Sequence, residues 1–323
     1  MIFRFSLRIL ILLLLTSCAG GHQVRLKSTL TQSNCNQQKA YRLSSQDIPK
    51  PIHELVLDTS LTSRFSFNSL NVANAIGLVD LLNDFVKSKK QYQLDPTLAN
   101  RFATMELTET INHRIDIASL EISAISSELD CEEERTDQIA TYLRHKEDDS
   151  ETKLTVGAIV VGATGAILSG LVLNKGNASE YIGIGAGITE ATLGILILTN
   201  KRKVELQHPR NVLRTIWEGQ DEAGIFPPSV WYYLTYDNPA EPDMPPLRQQ
   251  IIEKWESFGQ IDRRKTSSKK KQLQMYFDDG GKYSAEELRN RANMLDQLES
   301  HVNLMKQALR NLAIELEDLK ANK

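Results

Sequence analysis

Cysteine and histidine are the side chains with the widest chemical range, so their number and spacing come first. The 323 residues contain three Cys (Cys18, Cys35 and Cys131) and six His (His22, His53, His113, His145, His208 and His301). None of these His lies in an H-E-x-x-H pair, and none neighbours a Cys at the spacing of a zinc site, so no metal is expected. A G-x-S-x-G elbow is missing, and with it the usual sequence sign of a nucleophilic serine. Asp278-Asp279 precede Gly280-Gly281 and read as a turn rather than an acid/base pair with partners. Gly183, Gly185 and Gly187 superficially suggest a dinucleotide loop. The residues after them stay apolar to Leu198, however, with no βαβ unit around them. Gly157 and Gly162 lack the Lys-Ser/Thr of a phosphate loop. These residues predict neither an enzyme nor a cofactor.

The N-terminus carries a clearer signal. Arg4 and Arg8 form a short positive region, and Ile9 to Leu15 is an unbroken apolar run. That run is too short to span a bilayer, which takes ~20 apolar residues, and reads as the centre of a secretory signal. It ends Leu15-Thr16-Ser17-Cys18, which resembles the lipobox of bacterial lipoproteins: an aliphatic residue, two small residues and a Cys. The resemblance covers about twenty residues. It implies lipidation of the Cys18 thiol, cleavage before Cys18 and acylation of the new amino group. Several acyl chains give a stable anchor, because each buried CH₂ contributes about 0.8 kcal/mol. Ala19 follows Cys18 in place of the Asp that retains many such lipoproteins at the inner membrane, so the resemblance implies the outer membrane, facing the periplasm. In that oxidising compartment a Cys35–Cys131 disulfide is expected. It would pin a polar N-terminal arm to a helix.

Composition narrows the remaining classes. The chain has 38 Lys+Arg against 41 Asp+Glu and a net charge of −3. Without Arg4 and Arg8 the 38 fall to 36, and 36 against 41 gives −5. No excess positive charge is available to release counterions from a phosphate backbone, so nucleic acid is not an expected partner. With 41% hydrophobic residues, 17 Gly and 10 Pro, collagen-like and wholly disordered chains are excluded.

The apolar pattern predicts a mainly α fold. Long antiparallel helices form a coiled-coil-like bundle around a central apolar, glycine-rich hairpin and a small aromatic and Pro-rich insertion. The expected segments are a signal peptide at 1–17, a polar arm at 18–64 and a helical region at 65–153. They continue with the hairpin at 154–203, the aromatic segment at 204–283 and a long helix at 284–323. Within 65–153, residues 68–89 read as one helix carrying Leu70, Ala73, Ile76, Leu81, Leu82 and Phe85. Asp95-Pro96 reads as an N-cap acid followed by Pro at N1. Ile115, Ala118, Ile122, Ile125, Leu129, Ile139 and Leu143 then follow 3-and-4 spacing, with polar Glu132 and Thr136 in the same register. A helix over 96–152 would be about 85 Å long, an element built to span or to zip. Ser284 and Glu287 form a capping box for the final helix. Leu295, Leu298, Val302, Met305, Leu309, Leu312, Leu316 and Leu319 continue it, with the 96–152 seam as an intrachain partner.

The stretch Leu154 to Thr199 is the most distinctive. Leu154 to Leu173 carries no charge, a polar linker follows, and Tyr181 to Thr199 holds only Glu190. Ala158, Gly162, Ala166 and Gly170 lie four apart on one face, as do Gly183, Gly187 and Ala191 on the second arm. Such stripes let helix backbones approach closely, which offsets the ~1 kcal/mol cost of each helical Gly. The unit resembles the glycine-zipper hairpins of bacterial envelope proteins. Both arms are long enough to enter a bilayer, and Glu190 is then an intramembrane acid facing a pore or partner. The alternative is a hairpin buried in a soluble bundle, with Glu190 on a polar partner.

Residues 204–283 collect Trp217, Trp231, Trp255, Phe226, Phe258, Tyr232, Tyr233 and Tyr236, and Pro227, Pro228, Pro239, Pro242, Pro245 and Pro246 break them into short pieces. They read as an interaction surface, as aromatics at headgroup level or as a packed cap. Val230 to Tyr236 reads as a short strand, Leu247 to Phe258 as a helix, and the basic run Arg263 to Lys271 as a solvated loop. The function these readings support is a non-enzymatic, lipid-anchored structural or assembly component of an envelope complex. Its partners would be the membrane and other proteins, with a homo-oligomer among the options. Two alternatives remain: a pore-forming protein of α-helical type, and a periplasmic binding or scaffold lipoprotein.

Overall fold

The computed structural model describes residues 35–36, 48–171, 202–262 and 267–321, with the backbone alone over 150–171 and 267–269. The chain is mainly helical. A 3-10 turn at Ile52–Glu54 leads to α1 (Thr59–Thr62), α2 (Phe67–Ala75), α3 (Val79–Leu94) and α4 (Leu98–Leu171). Strand β1 (Val204–Gln207) precedes α5 (Val212–Glu218), α6 (Pro228–Thr235), α7 (Leu247–Ser257) and α8 (Ser267–Phe277). Strand β2 (Gly280–Tyr283) pairs with β1, and α9 (Ala285–Ala321) ends the described chain.

The chain divides into two compact units. In its described part the larger contains 35–36, 48–136, 207–262, 267–281 and 290–321. Its core is built where the heptad-spaced residues of α4 and α9 turn inward. Ile122, Ile125 and Leu129 of α4 and Leu295, Leu298, Val302, Met305, Leu309, Leu312 and Leu316 of α9 are all buried. The Ser126 hydroxyl donates to Asn303 Oδ1 at 3.0 Å, so the two helices meet inside one chain. The aromatic segment completes this core, with Phe226, Trp231, Tyr232, Trp255, Tyr276 and Phe277 buried and Trp217 stacked on Phe277 at 4.6 Å. Phe258 is exposed. The packed-cap reading therefore fits this segment best. In its described part the smaller unit contains 137–171, 202–206 and 282–289. Ile139, Leu143, Val204, Leu206, Tyr283 and Leu288 are buried there. The Ser284–Glu287 capping box is formed, with Glu287 N–H donating to Ser284 Oγ at 3.3 Å and Ser284 N–H to Glu287 Oε2 at 2.7 Å.

Several local expectations are corrected. Residues 68–89 are not one helix, because Gly77 breaks them at φ +68°. Leu78 N–H donates to the Ala73 carbonyl and Gly77 N–H to that of Asn74, the paired bonds of a Schellman cap. An L side chain at that φ costs ~1–2 kcal/mol, so Gly is the residue that ends α2 there. The N-cap of α4 is Thr97 rather than Asp95, since Asn100 N–H donates to Thr97 Oγ1 at 3.3 Å. Val230 to Thr235 is helical, not a strand, and Tyr236 is the C-cap. Pro228 presets the first turn and outweighs the β preference of Val, Trp and Tyr. Gly280-Gly281 opens β2 instead of forming a turn. Lys269, Lys270 and Lys271 lie in α8, not in a loop. Glu132, Glu133 and Glu134 read in the sequence as a solvated face, but Glu132 is half-buried and receives Arg135 Nη2 at 2.6 Å.

Candidate docking face on the long helix

A solvent-facing groove lies where α3 hands over to α4. Asn100 Nδ2 donates to the Asp95 carbonyl at 2.7 Å and fixes the connection. Ser88 of α3 and Thr104 of α4 share a hydrogen bond at 2.9 Å, which ties the two helices together. Below it Leu82, Phe85 and Ile111 are buried. The inward stripe of α4 therefore runs through Thr104, Thr108, Ile111, Ala118 and Ile122.

A second stripe on the same helix faces out. Leu98, Phe102, Met105, Glu109, Asn112 and Asp116 recur at alternating steps of four and three, and all six are exposed. Leu98, Phe102 and Met105 are 67%, 60% and 54% exposed. At 3.6 residues per turn, this stripe is rotated about 100° from the inward one. Three large apolar side chains therefore stand together on one outer face of the helix. A groove of ≈ 880 Å³ runs along it. Tyr92 of α3 lines one side, and Phe102 and Met105 line the other with Glu106, Glu109 and Asp116. Arg101 adds a positive group and His113 an imidazole. Acids outnumber bases in this lining.

The remaining polar clusters hold the fold together. Asn211 Nδ2 bridges the carbonyls of Tyr276 and Asp278 at 2.8 Å each. Arg291 donates to the Tyr276 carbonyl at 3.1 Å and to Asn211 Oδ1 at 3.2 Å. Burial holds the nearby His208 imidazole well below its ordinary pKa, reinforced by the charges of Arg291 and Arg135. Arg210 Nε donates to Glu128 Oε1 at 2.7 Å, and Glu128 is buried. The Asp221 carboxylate receives the N–H groups of Ile225 and Phe226 at 2.8 Å each, while burial pushes its pKa up. Burial likewise raises Glu121, which accepts from the Ser229 hydroxyl at 3.3 Å. Each cluster satisfies backbone or side-chain groups between elements, which is what buried polar residues must do. Among the described residues, no group of three or more His, Cys, Asp or Glu is placed to hold a metal ion.

No family model, curated protein or solved structure matches this chain. Its function must therefore be read from its own residues. Cys35 and Cys131 are joined by a disulfide with Cα atoms 5.5 Å apart. Ala158, Gly162, Ala166 and Gly170 lie on the last turns of α4, whose helix runs through them to Leu171. Cys18, Gly183, Gly187, Glu190 and Ala191 lie outside the described residues. Among the residues whose side chains are described, no helix is long and apolar enough to cross a membrane. The apolar arm beginning at Leu154 is not in that set. The sequence reading missed the outward stripe because its seam began at Ile115. The signal was nevertheless present, since Leu98, Phe102 and Met105 keep 4-and-3 steps one position out of register with the inward stripe.

Proposed function

We propose that this protein is a lipid-anchored component of a bacterial cell envelope that holds other proteins in place and performs no chemistry of its own. The anchor is Cys18, read from the lipobox, and the apolar arms of 154–203 add a contact with the membrane or with a subunit interface. One observation carries the docking role: the exposed apolar stripe Leu98, Phe102 and Met105 on a helix whose inward stripe packs in the core. A disulfide-linked helical bundle is a stiff support for such a face, and stiffness lowers the ordering cost of association. The disulfide also agrees with an oxidising compartment.

The test places a photo-crosslinking amino acid at Phe102 of the full-length protein in its own envelope. A discrete protein adduct is expected there, and none from Asn311 on the exposed side of α9. The Cys18→Ser variant, left without its anchor, loses the adduct. Identical patterns from both positions, or no adduct from Phe102, overturn the reading.

A further inference from the structure

We infer that the groove on α4 receives an amphipathic helix of another protein, one that carries apolar residues at successive seam positions and Lys or Arg at the next ones. This rests on the docking role proposed above and names the chemistry of the partner. The argument begins with spacing. Steps of four and three from Leu98 to Asp116 are the repeat by which one helix packs along another, so the shape that fills this face is a helix. Composition then divides the face in two. Its first half is Leu98, Phe102 and Met105, and its second is Glu109, Asn112 and Asp116, with Glu106 beside them in the groove wall. An apolar partner along the whole length would bury Glu109 and Asp116 without compensation. A helix with cations opposite the second half pairs them instead.

The same division argues against a second copy of this chain. A parallel copy sets Glu109 on Glu109 and Asp116 on Asp116. An antiparallel copy sets the apolar half on the acidic half. Either way the face meets a poor complement, and like charges placed together disfavour that pairing.

The test uses the full chain purified in detergent, with two synthetic helices about four heptads long. One has Leu at three successive seam positions and Lys at the next three; the other has Glu in place of Lys. Each is made in both sequence orders, so that chain direction is free. Fluorescence anisotropy reads binding, and circular dichroism checks the fold of every variant. The Lys helix is expected to bind on the order of tenfold or more tightly than the Glu helix. The Glu109→Lys/Asp116→Lys variant reverses that order. Phe102→Ser weakens binding of the Lys helix about thirtyfold, as loss of a central aromatic does.

Equal binding of both helices, an order unchanged by the charge reversal, or binding indifferent to Phe102→Ser overturns the inference. If neither helix binds while Phe102 still gives its adduct in the envelope, the apolar-basic partner is wrong and the docking role stands. If the adduct is also missing, both fail.

Discussion

Replacing Cys35 and Cys131 together by Ser lowers the stability of the larger unit by about 4 kcal/mol. The two residues are 96 apart in sequence, so the bridge closes a long loop and removes much of the freedom of the unfolded chain. It also fastens the chain at Cys35, upstream of the arm that sets Ile52 and Leu61 into the core, to the middle of α4. That arm is further held by Ile52 N–H donating to the Tyr232 hydroxyl at 3.1 Å and by Asn74 Nδ2 donating to the Lys50 carbonyl at 2.8 Å. Trp217, Trp231 and Trp255 all lie in this unit, so denaturant unfolding followed by tryptophan fluorescence reads the loss directly. The double variant is used because it leaves no lone thiol to pair between molecules. Reduced wild-type protein should match it. A change below about 1 kcal/mol would mean that the unfolded chain stays compact enough for the bridge to add little constraint.

Arg210→Ala is expected to cost about 3–5 kcal/mol, because it strands a buried carboxylate. The Glu128 side chain is 4% exposed and has the Arg210 guanidinium at 2.7 Å. Arg210 also donates to the Ile225 carbonyl at 3.1 Å, so it links α4 to the turn that Asp221 organises. The informative comparison is the pair Glu128→Gln/Arg210→Met, which removes both charges and keeps most of the volume. Thermal and denaturant unfolding should show the double variant recovering most of the loss, since the cost comes from the unpaired charge rather than from the absence of attraction. Equal losses in the single and double variants would assign the effect to packing instead.

These outcomes bear on how far the sequence could be read. The α9 stripe from Leu295 to Leu316 was legible because a single helix period governs which residues are buried, and α4 from Ala118 to Leu129 was legible for the same reason. The break at Gly77 was not, because Ile76 and Leu82 keep helical spacing on both sides of it and disguise the cap. The helix at Pro228–Thr235 was misread because the β preference of its Val, Trp and Tyr hides the start signal of Pro228, which packing of α6 on α2 and α7 reinforces. The polar clusters were out of reach for a different reason. Asn211 and Arg291 are 80 residues apart, and no periodicity connects them. The docking face lay between these cases. Its spacing is local and visible, but on a helix with two stripes only the fold decides which one is covered.

The most direct test of the docking role needs no substitution. Met105 and Met244 are 54% and 57% exposed, whereas Met294 and Met305 are fully buried. Mild peroxide converts accessible methionine to its sulfoxide, and mass spectrometry reads each site. In the purified protein, Met105 and Met244 should oxidise at similar rates, well ahead of Met294 and Met305. In intact envelopes, Met105 should be protected while Met244 stays reactive. Equal oxidation of Met105 and Met244 in the envelope would show the α4 face bare in its native setting, and would contradict the account.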